Sequence, residues 1–233
     1  MKIALLGYGR MGKAIEELAK GRGHEIVSIH DKDSNQGDIS KADMAINFSI
    51  PSAAVNNLKF AFDNNVPVVC GTTGWLEKLN EIHDYCKLKK SGFLYASNFS
   101  IGVNLFFKLN ELTAQLMKGQ ETNYTAHLEE THHIHKLDAP SGTAITLAEG
   151  IAAQNNRYKK WSMDPKTNDL KISAYREGEV PGTHSITYSS EVDEISIQHK
   201  ANSRQGFALG AVIAAEWLQG KEGIFSMKDL LNL

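Results

Sequence analysis

The chain has 233 residues, 42% of them hydrophobic and 22% charged, which is typical of a globular protein with one large domain or two small ones. Its formal net charge of -2 argues against a general nucleic-acid binder, which normally presents a basic surface. No apolar stretch reaches transmembrane length, the chain starts directly with a predicted strand, and only Cys70 and Cys86 occur as cysteines. We therefore expect a cytoplasmic protein with reduced cysteines and with no nucleic-acid or membrane partner.

The first predicted elements are a strand, a glycine-rich turn and a helix. The apolar run Lys2–Leu6 is followed at once by the sequence GYGRMG, and residues 13–20 have helical apolar spacing. In such a motif Gly7 permits a tight turn, Gly9 lets a pyrophosphate approach the backbone, and Gly12 lets the helix pack on the strand. The candidate cofactor-binding residues of this loop are Gly7, Gly9, Arg10, Met11 and Gly12.

An acidic residue follows the second predicted strand. Residues 25–30 form that strand, and Asp31 follows it at the spacing expected of a carboxylate that binds the cofactor ribose. An acid at this place favours the free 2′-hydroxyl of NAD, whereas a cation accommodates the 2′-phosphate of NADP. Lys32 is either such a cation or a solvated loop residue. The sequence thus predicts a dinucleotide site for NADH, NADPH or both.

Strands and helices continue to alternate up to residue 117. Further strands are predicted at residues 43–48, 67–70 and 93–96, with helices at 51–62 and 103–117. This alternation predicts an α/β fold with a Rossmann-like, doubly wound parallel sheet. The small residues Gly71, Thr72 and Thr73 follow a strand, where ligands bind in such sheets, and we favour a nicotinamide-side contact there over a plain turn.

The second half has a different pattern, in which strands follow one another without intervening helices. Strands are predicted at residues 124–131, 171–176, 184–190 and 194–200, helices at 141–154 and 205–218, and a long polar loop at 155–169. On the first of these strands Ala126, Leu128 and Glu130 share one face. This part of the chain therefore predicts a mixed or antiparallel sheet.

The most informative segment is HHIHKLDAPSGTA at residues 132–144. It places three histidines and Lys136 within five residues, and histidines titrate near neutral pH. Ser141 is a good N-cap for the following helix, whose first residues, Gly142 and Thr143, expose backbone N–H groups that hold an anion. The segment therefore predicts an enzyme site that binds a carboxylate or phosphate and delivers a proton beside it.

This segment resembles the signature HHxxKxDAPSGTA of the 4-hydroxy-tetrahydrodipicolinate reductase family, also called the dihydrodipicolinate reductase family. It matches at every fixed position, and the resemblance extends over nearly the whole chain. Supporting matches are GTTG at residues 71–74, SNFS at 97–100, HKA at 199–201, SR at 203–204 and FALGA at 207–211.

The resemblance implies an enzyme that transfers hydride from NADH or NADPH to a small cyclic dicarboxylate in diaminopimelate and lysine biosynthesis, with loss of water. It implies a dinucleotide-binding domain at residues 1–100 and 205–233, and an α+β domain with a mixed sheet at 101–204 for substrate binding and homotetramer formation. His132 is then the proton donor and Lys136 its catalytic partner. The implied substrate-binding residues are His133, Ser141, Gly142 and Thr143, and further implied cofactor contacts are Ser97, Asn98 and Phe99.

Several alternatives stay open. The family's glycine loop, GxxGRMG, is one residue longer than the loop here, so contacts of Arg10 with phosphate are undecided. Asp138 either anchors its loop or neutralises Lys136, and Arg204 either reaches the substrate or forms a surface ion pair. Other functions weighed are an amino-acid dehydrogenase, such as an aspartate or homoserine dehydrogenase, and a non-catalytic NAD(H) sensor.

A metal site is a further alternative, because four of the nine histidines lie between His127 and His135. However, adjacent His132 and His133 point to opposite sides of an extended chain, and no spacing brings three ligands together. Lys136 would also repel a cation. We expect no metal, and we expect His127, His184 and His199 to be buried or hydrogen-bonded histidines.

Overall fold

A computed structural model of the chain describes residues 1–32, 34–120, 123–203 and 205–233. They form two compact units, one made of Met1–Ile101 with Gln205–Leu233 and the other of Gly102–Arg204. Each unit has its own sheet. In the described part of the chain, no helix combines the length and the apolar character needed to cross a membrane.

The chain contains twelve strands and seven α-helices within the described residues, together with two short 3-10 turns. In chain order they are β1 (Lys2–Leu6), α1 (Arg10–Gly21), β2 (Glu25–Asp31), β3 (Ser34–Gly37), β4 (Met44–Asn47), α2 (Pro51–Asp63), β5 (Val68–Cys70), α3 (Leu79–Leu88), β6 (Gly92–Tyr95), α4 (Ile101–Met117), β7 (Thr125–His132), α5 (Gly142–Gln154), β8 (Lys160–Ser162), β9 (Asp169–Arg176), β10 (Thr183–Ser189), β11 (Glu194–Lys200), α6 (Gln205–Leu218), β12 (Gly223–Phe225) and α7 (Met227–Leu231).

The first unit is a doubly wound sheet, and the Rossmann-like prediction is confirmed. Its strands lie in the order β12-β6-β5-β4-β1-β2-β3, and all neighbours are parallel except β3, which runs antiparallel to β2 at the edge. The edge strands β3 and β12 were not predicted, because β3 (SNQG) has no hydrophobic side chain and β12 (GIF) has only two, both partly buried.

Both faces of this sheet are covered by helices, which explains the uninterrupted apolar run of β1. Ile3 and Leu5 face one core, which includes residues of α1, α6 and α7, whereas Ala4 and Leu6 face the core that includes α2 and α3. The order of strands reverses on either side of β1, since β2 lies on one side and β4 on the other. A ligand crevice is expected at the carboxyl ends of these strands.

The second unit contains a five-stranded mixed sheet, as predicted, in the order β11-β10-β7-β9-β8. Strand β7 is antiparallel to β10 and parallel to β9. Residues of α4 and α5 share one core with the apolar residues of the sheet. The predicted long loop is wrong at Lys160–Ser162, which pairs with β9 as an edge strand. Edge pairing uses backbone hydrogen bonds, so a strand there needs no apolar alternation.

Candidate active site and dinucleotide-binding cavity

The glycine loop after β1 adopts a conformation that requires glycine at two positions. Gly7 has a φ of +97°, and a Cβ on it would lie 2.2 Å from the carbonyl oxygen of Phe48. A Cβ on Gly12 would lie 2.4 Å from the carbonyl oxygen of Gly7, so α1 packs directly against the loop. The space at Gly9 is open, with no atom within 4 Å of an added Cβ. The backbone is therefore accessible at the N-terminus of α1.

A cavity of about 620 Å³ lies beside this loop, within the first unit. Among the predicted cofactor residues, those that line it are Gly7, Gly9, Arg10, Met11, Asp31 and Lys32. The Asp31 carboxylate accepts hydrogen bonds from the backbone N–H of Tyr8 at 3.1 Å and of Lys32 at 2.8 Å. These bonds hold the acid at the rim of the cavity and join the end of β2 to the glycine loop.

The cavity and its lining fit a dinucleotide. Gly9 is the N-cap of α1 and has no side-chain cap, so the positive end of the helix dipole and its free N–H groups are available to a pyrophosphate. A ribose hydroxyl can donate a hydrogen bond to Asp31, whose carboxylate keeps acceptor capacity beyond its two backbone bonds.

Sequence reasoning missed eight of the fourteen residues that line this cavity. The additional lining residues are Tyr8, His30, Asn35, Phe48, Ser49, Ile50, Ala53 and Asn57. Most of them lie at the ends of β2 and β4 or on the first turns of α2. The signal was available in principle, because the strands that flank β1 at a reversal of strand order present their carboxyl ends to the same crevice.

The other predicted cofactor residues do not line this cavity. The side chain of Thr72 is buried, and its Oγ1 accepts a 2.9 Å hydrogen bond from the backbone N–H of Ser49. Phe99 is 1% exposed and packs on Phe48 in the core, with ring centroids 5.6 Å apart. Asn98 accepts a hydrogen bond from the backbone N–H of Ser100. The remaining members of this set, which also lie outside the cavity lining, are Gly12, Gly71, Thr73 and Ser97.

In the second unit, three neighbouring strands build a buried polar cluster. Glu130 and His132 lie two residues apart on the inward face of β7, the face that also carries Ala126 and Leu128. His184 on β10 pairs with Glu130 in the antiparallel register, so it is buried beside that carboxylate. The prediction that His184 is a buried, hydrogen-bonded histidine is confirmed.

The Glu130 carboxylate lies at the centre of this cluster. Its Oε1 accepts a 3.0 Å hydrogen bond from the backbone N–H of Ser141 and lies 3.3 Å from the guanidinium of Arg176. Its Oε2 lies 3.5 Å from Nδ1 of His132 and 3.5 Å from Nε2 of His184. One buried carboxylate thus contacts β9, β10 and the start of α5 as well as its own strand.

Burial changes the proton affinities in the cluster. It lowers the pKa of His132 to about 4, despite the opposing charge of Glu130, and His184, Lys136 and Arg176 act in the same direction as burial. The pKa of His132 therefore lies below the near-neutral range that is ordinary for a histidine. For Glu130, burial raises the pKa, but the polar contacts with His184 and Ser141 outweigh it and lower the pKa to about 2.

Lys136 is held by the acid two residues later. Its Nζ lies 2.7 and 2.8 Å from the two carboxylate oxygens of Asp138. Of the two roles that the sequence left open for Asp138, the structure thus shows the ion pair with Lys136. The side chain of Arg176 donates to the backbone carbonyls of Lys136 and Asp138. These two bonds connect the loop that contains Lys136 and Asp138 to β9, the strand on which Arg176 lies.

The helix after this loop begins as predicted, with Ser141 as its N-cap. The Ser141 hydroxyl accepts a 3.2 Å bond from the backbone N–H of Ala144 and lies 3.2 Å from Nε2 of His184. Helix geometry leaves the backbone N–H groups of Gly142 and Thr143 without intrahelical acceptors, and Gly142 is exposed. His133 is partly buried and His135 is exposed, with their rings 6.2 Å apart.

The expectation that no three metal ligands converge is wrong for the described residues. Atoms of Glu130, His132 and His184 that could bind a metal lie within 4.8 Å of one another. Spacing along the chain could not reveal this group, because His184 reaches it from the neighbouring strand. These three residues do not fit a cation well, because the Arg176 guanidinium and the Ser141 N–H already donate hydrogen bonds to the Glu130 carboxylate. Arg204 lies outside the described residues.

A Rossmann-like unit with a dinucleotide cavity, joined in one chain to a unit with buried proton-handling side chains, defines an NAD(P)-dependent oxidoreductase. Two family profiles match the chain: dihydrodipicolinate reductase, N-terminus, over residues 1–99, and dihydrodipicolinate reductase, C-terminus, over residues 102–231. The chain belongs to the dihydrodipicolinate reductase family.

Individual relatives agree with this assignment. The chain is 53% identical to a 4-hydroxy-tetrahydrodipicolinate reductase of Christiangramia forsetii, over 100% of this chain and 98% of the relative. It is 38% identical to the reductase of the same description from Akkermansia muciniphila, over 97% and 95% of the two chains. The fold is similar to that of a dipicolinate-bound dihydrodipicolinate reductase from Paenisporosarcina sp. TG-14, with a TM-score of 0.80, 22% identity and 97% coverage of both chains.

Proposed function

We propose that this protein reduces 4-hydroxy-tetrahydrodipicolinate to tetrahydrodipicolinate, with loss of water, in diaminopimelate and lysine biosynthesis. The observation that carries the proposal is the segment at residues 132–143, in which a buried histidine and a lysine precede a helix N-terminus with available N–H groups. The 53% identity to a reductase of this description, over the whole chain, supports the choice of substrate.

The turn at the start of α5 is the proposed binding site for a substrate carboxylate. The backbone N–H groups of Gly142 and Thr143 bind its oxygens at the positive end of the helix dipole. His133 contributes a further contact. Ser141 takes part mainly by building the turn, because its N–H bonds to Glu130 and its hydroxyl lies against His184.

His132 is the proposed proton donor, and Lys136 supports it. Bound NADH or NADPH supplies the hydride. Hydride addition to a conjugated imine leaves negative charge on the nitrogen or its neighbour, and an acid near that position accelerates the step. The two negative charges of a bound dicarboxylate favour protonated His132, which counteracts the burial that lowers its pKa. The Lys136 ammonium stabilises the same developing charge.

In the first unit, we propose that the loop from Gly7 to Gly12 holds the pyrophosphate and that Asp31 binds the adenosine ribose. Lys32 lines the same cavity, and a cation beside the acid favours use of NADPH as well as NADH. Residues 71–73 remain proposed nicotinamide-side contacts, and Ser97, Asn98 and Phe99 remain proposed cofactor contacts, on the strength of the family resemblance. The enzyme is further proposed to act in the cytoplasm as a homotetramer, a state that sedimentation equilibrium can measure.

The deciding experiment is oxidation of NADH and of NADPH by the purified protein with freshly generated 4-hydroxy-tetrahydrodipicolinate. We expect turnover with both cofactors and none without the substrate. Absence of turnover would remove the proposed function. Assays with NAD⁺ and aspartate or homoserine test the dehydrogenase alternative, and cofactor binding without any turnover would favour a sensor.

The catalytic assignment is tested separately with His132→Gln and Lys136→Ala. We expect each substitution to lower kcat by about 100-fold or more, since positioned proton transfer and charge stabilisation contribute at least this much. His135→Gln is the matched control, because His135 belongs to the same segment but is exposed. Wild-type rates in either test variant would overturn the corresponding role.

A further inference from the structure

Glu130 is a buried carboxylate without a direct part in the proposed reaction. Its side chain is 0% exposed, and its pKa of about 2 means that it is charged at neutral pH. Burying a charge is costly unless the surroundings stabilise it, so its partners are informative. Those partners are His132, Ser141, Arg176 and His184.

Two atoms of this cluster face each other and have no hydrogen-bond partner elsewhere among the described residues. They are Oε2 of Glu130 and Nδ1 of His132, both buried and 3.5 Å apart. Nε2 of His184 lies equally far from Oε2, but it also has the Ser141 hydroxyl 3.2 Å away. A modest approach would turn the contact into a hydrogen bond from Nδ1–H to the carboxylate. Such a bond selects the tautomer in which Nε2 has no hydrogen and is free to take one up.

The other ring nitrogen of His132 faces a small residue. A Cβ added to Gly182 would lie 3.1 Å from Nε2 and 3.3 Å from the adjacent Cδ2 of His132. Glycine at this position keeps the surroundings of Nε2 uncrowded. The ring therefore has one nitrogen directed at a fixed carboxylate and the other beside a backbone without a side chain.

We propose that Glu130 is a positioning residue for the reduction: it holds neutral His132 with its hydrogen on Nδ1, so that Nε2 is the atom that takes up and delivers the transferred proton. Through Arg176 the same carboxylate is tied to the backbone of the lysine loop, and through the Ser141 N–H to the carboxylate-binding turn. One buried charge thus aligns all three parts of the proposed site. This inference rests on the proposed function, because it takes His132 as the proton donor, but it concerns Glu130, which has no assigned role in that function.

The charges around His132 determine the direction of the expected effect. Glu130 favours the protonated imidazole, whereas burial and the neighbouring His184, Lys136 and Arg176 disfavour it. Neutralising Glu130 removes the sole favourable charge in that set. The pKa of His132 should then fall further, and Arg176 should lose its buried counter-ion.

The first test is the histidine NMR of the full-length protein without substrate, with isotope-labelled histidine and His132→Gln to assign the signal. We expect neutral His132 to carry its hydrogen on Nδ1 and to titrate at a lower pH in Glu130→Gln. A hydrogen on Nε2 in the wild type would overturn the proposal. This measurement on the wild type decides the question even if the variant does not fold, and it does not depend on the substrate.

The second test is the pH profile of kcat for Glu130→Gln, Glu130→Asp and Glu129→Gln. We expect Glu130→Gln to lower kcat at neutral pH by about 10-fold to 100-fold and to move the alkaline decline to lower pH, because each pKa unit changes the protonated fraction about tenfold. Glu130→Asp keeps the charge and should regain part of the rate. Glu129→Gln is the control, since Glu129 lies on the other face of β7 and contacts Tyr175.

The outcomes separate this inference from the proposed function. If the wild type reduces the substrate and Glu130→Gln keeps its pH profile, the positioning role is wrong and the function stands. A uniform loss of kcat with an unmoved profile, not regained in Glu130→Asp, would indicate a merely structural role and also overturn the proposal. If the wild type shows no turnover, the proposed function fails, and the tautomer of His132 still tests the Glu130 contact.

Discussion

The backbone N–H of Ser141 donates a 3.0 Å hydrogen bond to the carboxylate of Glu130, eleven residues earlier in the chain. This bond joins the first residue of the α5 turn to the strand that carries His132. The proton-handling histidine and the anion-binding turn therefore have a common support, although the intervening loop contains the exposed Leu137 and Asp138.

Ser141→Ala should destabilise the protein by about 1 kcal/mol, because the helix loses its side-chain N-cap and Nε2 of His184 loses a hydroxyl partner. The backbone bond to Glu130 survives the change. Thermal and denaturant unfolding measure the loss. Thr146→Ala is the control in the same helix, since the Thr146 hydroxyl only bonds back to Gly142 on the exposed surface; equal losses in the two variants would argue against the cap.

Asp31→Asn should shift the cofactor preference toward NADPH. The amide keeps an acceptor for the Tyr8 N–H but removes the charge that repels a 2′-phosphate. We expect the ratio of kcat/KM for NADPH to that for NADH to rise about tenfold. The reason is that NADH loses a ribose hydrogen bond to a charged carboxylate, which contributes about 1.5 kcal/mol. Asp31→Ala additionally removes the Tyr8 contact, and an unchanged ratio in both variants would contradict the ribose assignment.

Gly12→Ala should destabilise the first unit by about 1–3 kcal/mol and weaken cofactor binding, because the added Cβ would lie 2.4 Å from the Gly7 carbonyl oxygen. Gly21→Ala is the matched control on the same helix, since a Cβ there meets no atom within 4 Å. Denaturant unfolding and cofactor titration measure the two effects. Equal stability of the two variants would show that α1 can move away from the loop.

Acid should destabilise the protein in a way that depends on His132. Its pKa falls from an ordinary value near 6.5 in the unfolded chain to about 4 in the folded protein, so the unfolded state binds the proton more tightly. The contribution of neutral His132 to the free energy of unfolding is complete above about pH 6.5 and is lost as the pH falls toward 4. At about 1.4 kcal/mol per pKa unit, the loss is on the order of 3 kcal/mol.

This prediction is measured by denaturant unfolding between neutral pH and about pH 4, in the wild type and in His132→Gln. The stability of the variant should decline less steeply over this range, because its residue 132 does not titrate. His135→Gln is the matched control, because His135 belongs to the same segment and its side chain is exposed. Parallel curves for all three proteins would show that burial of His132 does not lower its pKa.

Local patterns in the sequence were sufficient for much of the first unit and for the start of α5. The apolar run of β1, the glycine motif and the acid after β2 each act within a few residues, through turn geometry and helix packing that depend on local residue types. The N-cap at Ser141 is local in the same sense, because a cap is made by neighbouring residues. The alternation of β7 also placed Glu130 on the apolar face, a signal of a buried charge.

What only the tertiary structure decided involves contacts between separate strands. His184 and Arg176 reach Glu130 from β10 and β9, and no spacing rule relates residues that meet by strand pairing. The pKa of His132 depends on burial by these neighbours, so the residue type alone suggested a value that was too high. The short edge strands β3, β8 and β12 likewise depend on pairing with neighbours rather than on their own apolar pattern. The sequence by itself thus determined the local elements and the residues of the catalytic segment, while long-range packing decided which charges surround them.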